Sequence, residues 1–210
     1  MKNIMRMSGL AVALLLAPPV LAQDAAARHE GKVRQVIVNP HGDPDGILLD
    51  DGTVVRFPPH ALSSPSALPV GTAVQASGEA ERVGDALTLH DARVTVNGQV
   101  VVEGDRPPPG PRRPPRDQLQ PLKAAGAIKV VLTNPDGVPD GFILADGTVV
   151  HTGPRGRLAR RGIAAGATVQ VTGRGGAYPQ GRSLMAETLK VGDGPVIEVE
   201  GRGPRPPRSP

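Results

Sequence analysis

The chain of 210 residues has no cysteine and no tryptophan, and its only aromatic side chains are Phe57, Phe142 and Tyr178. Without cysteine there is no disulfide, no thiolate metal centre and no sulfur nucleophile, so any fold stands on apolar packing alone. So few aromatics leave Val, Leu, Ile and Ala to build the cores. They also leave little for stacking on nucleobases, which gives single-strand binders about 1–3 kcal/mol per base. Long apolar runs are scarce as well. Residues Met7 to Ala17 follow a basic start with Lys2 and Arg6 and precede Pro18-Pro-Val-Leu-Ala22, the pattern of a secretory signal cut after Ala22. That run is shorter than the ~20 apolar residues that cross a bilayer, and no later stretch reaches that length. The expectation is an exported protein, periplasmic or secreted, with no membrane span.

What is present is a repeat. Asn39-Pro-His-Gly-Asp-Pro-Asp-Gly-Ile-Leu-Leu-Asp-Asp-Gly-Thr-Val-Val55 returns 95 positions later as Asn134-Pro-Asp-Gly-Val-Pro-Asp-Gly-Phe-Ile-Leu-Ala-Asp-Gly-Thr-Val-Val150. The offset holds from Gly31/Gly126 to Gly78/Gly173. A two-residue insertion then shifts the match to Gly84/Gly181, Leu87/Leu184 and Val94/Val191. Both copies keep turn and core residues and differ in charge, the mark of a duplicated structural unit.

Each copy reads as short strands. The first, Lys32 to Val38, changes phase midway, with Val33 and Ile37 on one face and Val36 and Val38 on the other, as expected where a sheet bends into a barrel. A loop from Asn39 to Gly46 leads to Ile47–Leu49, an Asp51-Gly52 hairpin turn and Thr53–Phe57. Pro58 to Leu68 then interrupts the strands where a short helix would fit. Strands Thr72–Glu79 and Ala86–Val94 follow, the second slipping phase between Leu89 and Ala92. The slip recurs between Ala186 and Leu189 and predicts a bulge kept for curvature. A bent strand, a hairpin, an insertion and a second hairpin is the order of an OB-type barrel, so the fold class is all-β, two tandem small OB-like barrels with a helical or irregular insertion in each. The runs around Asn39–Pro59 and Asn134–Val150 resemble secreted bacterial proteins with tandem OB-fold, nucleic-acid-binding-like domains. That resemblance implies the fold and brings no binding residues with it.

The units are drawn as signal 1–22, barrel one 23–104, an Arg/Pro linker 105–121, barrel two 122–201 and an Arg/Pro tail 202–210. A linker in polyproline II extends ~3.1 Å per residue, which would hold the barrels roughly 40 Å apart when fully stretched. A unit of ~75 residues built on aliphatics alone implies modest stability or help from contact between the copies. Charge is uneven. Residues 23–104 carry 6 Lys/Arg against 11 Asp/Glu, and residues 105–210 carry 16 against 9. Attraction to polyanions therefore belongs to the C-terminal half.

Candidate sites follow from that split. Arg155, Arg157, Arg160 and Arg161 in the second insertion, with Lys129 and the linker's Arg112, Arg113 and Arg116, form the candidate polyanion contacts, because guanidinium groups pair bidentately with phosphate. Arg34, Arg56, Phe57, His60 and His151 are the candidate barrel-face contacts, Phe57 facing core or solvent according to strand register. Asp43, Asp45, Asp136 and Asp140 offer carboxylates at a calcium-like spacing. The twelfth position counted from His41 is Gly52, not the bidentate Glu an EF-hand needs, so these loops read first as turns and only second as a weak cation site. No histidine is held in common by the two copies, His90 aligning with Glu187, and all five read as surface residues without a catalytic set. The expectation is a non-enzymatic module without cofactor that binds or scaffolds an envelope partner or an anionic ligand. Single-stranded nucleic acid and divalent cations are the alternatives, and docking of the barrels and oligomeric state are left open.

Overall fold

The computed structural model describes residues 26–62, 66–104, 119–153 and 163–199. These form two closed five-stranded barrels, each with one additional short strand. Barrel one runs β1 (Ala27–Val38), β2 (Pro44–Leu49), β3 (Val54–Arg56), β4 (Ala73–Val83), β5 (Ala86–Val96) and β6 (Gln99–Val102). Barrel two repeats it as β7 (Gln120–Thr133), β8 (Pro139–Leu144), β9 (Val149–His151), β10 (Thr168–Tyr178), β11 (Gly181–Val191) and β12 (Val196–Glu198). β1 pairs with both β2 and β4, β5 pairs with β4, and a parallel β3–β5 contact closes the ring. Barrel two closes identically through β9 and β11. This is OB-type connectivity.

The bend of the first strand has a local cause. A register shift between Val33 and Gln35 puts Val33, Val36 and Val38 together inside barrel one, while Ile37 points out. The sequence grouping of Val33 with Ile37 is thus corrected: the bulge takes up one residue and resets the alternation. The loop after β1 is also shorter than expected, because β2 starts at Pro44 rather than after Gly46. Asn39 organises it, its side-chain oxygen accepting the N–H groups of His41 and Asp43. Asn134 does the same for Asp136 and Val138. In the hairpin, Gly52 and Gly147 supply φ of +93° and +85°. Asp51 and Asp146 each hold the Thr two residues on by main-chain N–H and hydroxyl.

The expected bulge lies where the phase slips. Ser77 faces Arg93 but Glu79 faces His90; Thr172 faces Thr188 but Gly173 faces Ala186. At the bend a Cβ on Gly78 would stand 2.4 Å from the His90 carbonyl oxygen, and one on Gly173 would stand 2.0 Å from that of Met185. These registers also correct the alignment. The 95-residue offset persists throughout, pairing Leu89 with Leu184, Val94 with Leu189 and Val102 with Ile197. There is no two-residue insertion, and the counterpart of His90 is Met185.

Between β3 and β4 the described residues contain no helix. They make turns tied to β6 by a bridge from Leu62 to Val102. Phe57, offered as a barrel-face contact, is buried in the core of barrel one with Leu68, Leu89 and Val102, because the chain turns inward after β3. Phe142 anchors barrel two and is fully buried. The strand β7 begins at Gln120, inside the stretch drawn as linker. The signal segment, Arg112, Arg113, Arg116, Arg155, Arg157, Arg160 and Arg161 lie outside the described residues. Among those described, no helix is long and apolar enough to cross a membrane.

Candidate functional site

The barrels are not held apart; they dock. Ile37, Leu48 and Val54 point outward from β1, β2 and β3 and meet Leu132, Ile143 and Val149 from β7, β8 and β9, each of the six no more than 1% exposed. Each residue packs in a cluster with its own counterpart 95 positions on. The seam is therefore pseudo-twofold, the isologous arrangement of a symmetric dimer inside one chain. Strands with both faces buried need apolar residues in sequence, and Val36-Ile37-Val38, Ile47-Leu48-Leu49 and Phe142-Ile143-Leu144 supply them.

Polar groups ring this apolar centre. Arg56 lies between Asp45 of its own barrel, at 3.9 Å, and Asp140 of the other, at 3.8 Å. His151, the counterpart of Arg56, reaches across with Nε2 3.1 Å from the Val38 carbonyl oxygen. Gln35 donates to the Gly147 carbonyl at 2.7 Å. Thr133 donates to Glu81 at 2.7 Å and lies 3.3 Å from the Thr88 hydroxyl. Tyr178 donates to the Pro40 carbonyl at 2.6 Å, its ring lying against Gly42, where a Cβ would approach it to 2.5 Å. Burial, helped by the Asp43 carboxylate, raises the Tyr178 pKa, so the phenol remains a donor through neutral pH. Tyr178→Phe is expected to cost about 1 kcal/mol in a urea melt, the net worth of one hydrogen bond.

His90 sits beneath this network, buried, with Nε2 4.0 Å from Glu81. Its expected place on the surface is corrected: Leu89 beside it enters the core of barrel one, and His90 lies on the opposite face with Glu81, buried on the side turned to barrel two. Burial, with Arg56 nearby, lowers its pKa from 6.5, and Glu81, Asp140 and Asp91 only partly oppose this. The unfolded chain therefore takes up a proton before the folded one does. Stability is complete above pH 6.5 and falls as the pH drops below it, until the folded imidazole also titrates. Urea midpoints measured from neutral to mildly acidic pH should show this decline, and His90→Leu should flatten it.

Two grooves flank the seam, related by the same offset. The larger, about 670 Å³, has walls from Val83, Leu87, Val130, Val131 and Ile163, with Glu81, Thr88 and Thr133 also lining it. Lys129, Arg82 and the His29–Asp51 pair also line it. His29 Nε2 is 2.6 Å from Asp51 and 3.1 Å from the Thr53 hydroxyl, a clamp on the hairpin turn. Burial by itself raises the Asp51 pKa. Hydrogen bonds from the Thr53 N–H, from His29 and from the Thr53 hydroxyl, with the charge on His29, outweigh it and leave the carboxyl below its ordinary value. The second groove, about 530 Å³, includes Arg34, Asp146 and Arg182.

Of the sequence candidates, the seam gathers Arg56, His151, Asp45 and Asp140. It uses them to join barrels rather than to form an open face, which corrects the barrel-face reading of Arg56 and His151. Arg34 and Lys129 are exposed, one in each groove. His60 is half-buried, 3.7 Å from Asp43, and Asp136 is an exposed turn residue. Among the described residues no three His, Asp or Glu side chains are placed to hold a metal ion. Glu81, Thr88, His90, Thr133 and Tyr178 were missed. The signal was a polarity difference between the copies, Thr133 against Val38 and Tyr178 against Val83. No family model, curated protein or solved structure matches the chain.

Proposed function

We propose that the protein is an exported, non-enzymatic binding or scaffolding module whose ligand surface is the larger groove between its barrels. The observation that carries this reading is the fate of the strand face that OB barrels commonly offer to ligands. In both copies that face is spent on the seam, and the concavity beside it sets an aliphatic wall of Val83, Leu87, Val130, Val131 and Ile163 against polar and charged groups that can orient a small ligand. The non-enzymatic part is supported by the repeat, whose shared carboxylates are spent on structure, Asp45 and Asp140 beside Arg56 and Asp51 and Asp146 on their hairpin turns, and by His29, whose Nε2 is engaged by both Asp51 and Thr53. A fragment screen read by amide chemical shifts tests it. Apolar fragments should perturb residues 82–88 and 129–131, and Val130→Glu should abolish the effect; shifts confined to the outer faces of β4 and β10 would count against the groove.

A second reading, polyanion contact, is favoured by the basic balance of residues 105–210 and by Lys129 in the groove lining. Binding to single-stranded DNA or anionic vesicles should then weaken steeply between about 50 and 200 mM salt. Absence of binding at the low end removes that reading. The cation alternative has little support, since Arg56 already supplies a cation beside both Asp45 and Asp140. An unchanged melting temperature at about 1 mM calcium is the expected result.

A further inference from the structure

We propose that the seam is a self-complementary docking surface that a second copy of this chain can occupy, barrel one of one copy pairing with barrel two of another. The pseudo-twofold arrangement requires the two patches to be interchangeable in outline: Ile37 answers Leu132, Leu48 answers Ile143 and Val54 answers Val149. Nothing in such a contact depends on the two barrels belonging to one chain. The linker only raises their effective concentration.

The polar rim decides which barrels pair. Glu81 is nearly buried, and its carboxylate accepts from Thr133, a barrel-two residue. If two copies of barrel one met in the same geometry, each Glu81 would face Val38, the counterpart of Thr133, which has no hydroxyl. Two carboxylates would then be desolvated without that donor. Arg56 would still find a carboxylate in a pair of barrels one, because Asp45 is the counterpart of Asp140, but a pair of barrels two would put His151 in place of Arg56 beside the two Asp140 carboxylates. The surface therefore favours one-to-two contact, and the partner it fits is another molecule of the same protein offering the opposite barrel.

Two full-length variants test this. Leu48→Asp disables the patch of barrel one and leaves barrel two free; Ile143→Asp does the reverse. Each alone should elute as a monomer by light scattering, and an equimolar mixture should form a complex of twice that mass. Adding Thr133→Val to the Leu48→Asp chain should weaken the mixed complex about tenfold, in line with loss of a hydrogen bond to a charged group. A mixture that stays at monomer mass while both chains keep their β-sheet circular dichroism overturns the proposal, and so does equally strong self-pairing of either variant. Should either variant fail to fold, the unmutated chain with a protease site inserted within 105–118 decides: after cleavage the halves should co-elute, and halves that separate overturn it. Failure of the groove to bind fragments would leave these outcomes unaffected.

Discussion

Gly173→Ala is expected to destabilise barrel two on the order of 3 kcal/mol or more, as overpacking against an atom that cannot rotate away. The Cβ would stand 2.0 Å from the Met185 carbonyl oxygen and 3.1 Å from the Ala186 Cα, both main-chain atoms of the facing strand. Relief requires opening the β10–β11 bulge, and that bulge is what lets β11 curve far enough to meet β9 and close the ring. Gly78→Ala should act likewise on barrel one, slightly less severely, with its nearest contact at 2.4 Å. Gly52→Ala is the control. Its Cβ meets nothing within 4 Å and only φ is unfavourable, so a loss of about 1 kcal/mol is expected. Urea denaturation followed by circular dichroism ranks the three; equal midpoints for Gly173→Ala and Gly52→Ala would refute the steric account.

Leu132→Asp should part the barrels while leaving each one closed. Leu132 is fully buried in the seam, and a carboxylate there would lose its hydration among Ile37, Leu48 and Val54. Loss of the leucine packing and burial of an unpaired charge together should outweigh the docking, at about 4 kcal/mol or more. Small-angle scattering should show a larger radius of gyration with circular dichroism unchanged. A radius equal to that of the parent chain would mean the rim contacts alone hold the seam. Leu132→Met, which keeps volume and polarity, should leave the barrels together.

Much of the barrel was legible because local chemistry dictates it. Asp51-Gly52 and Asp146-Gly147 demand a hairpin, and the slip after Leu89 demands a bulge; the loop from Asn39 was placed, but the hold of the Asn39 and Asn134 side chains on their loops was not read. The seam was not legible for a particular reason. Ile37 was grouped with Val33, and Leu48 and Val54 were placed in strands without a face, since an apolar residue facing outward looks the same in sequence as one displaced by a bulge. The uninterrupted triplets Val36-Ile37-Val38 and Ile47-Leu48-Leu49 carried the information, because a strand covered on one side alone would alternate. Polar members of the site were harder still. Glu81, Thr133 and His90 belong to three different strands from two barrels, and only the docked geometry brings them together. The apparent two-residue insertion arose from matching glycines across a turn, where strand register keeps the original offset.

Tyr178 is the single tyrosine of a chain without tryptophan, and it lies where one barrel touches the other. The protein thus carries its own spectroscopic gauge of closure. Near-ultraviolet emission from that one phenol should change when the halves part and stay steady when either barrel loosens elsewhere, so opening can be followed in real time on unlabelled material.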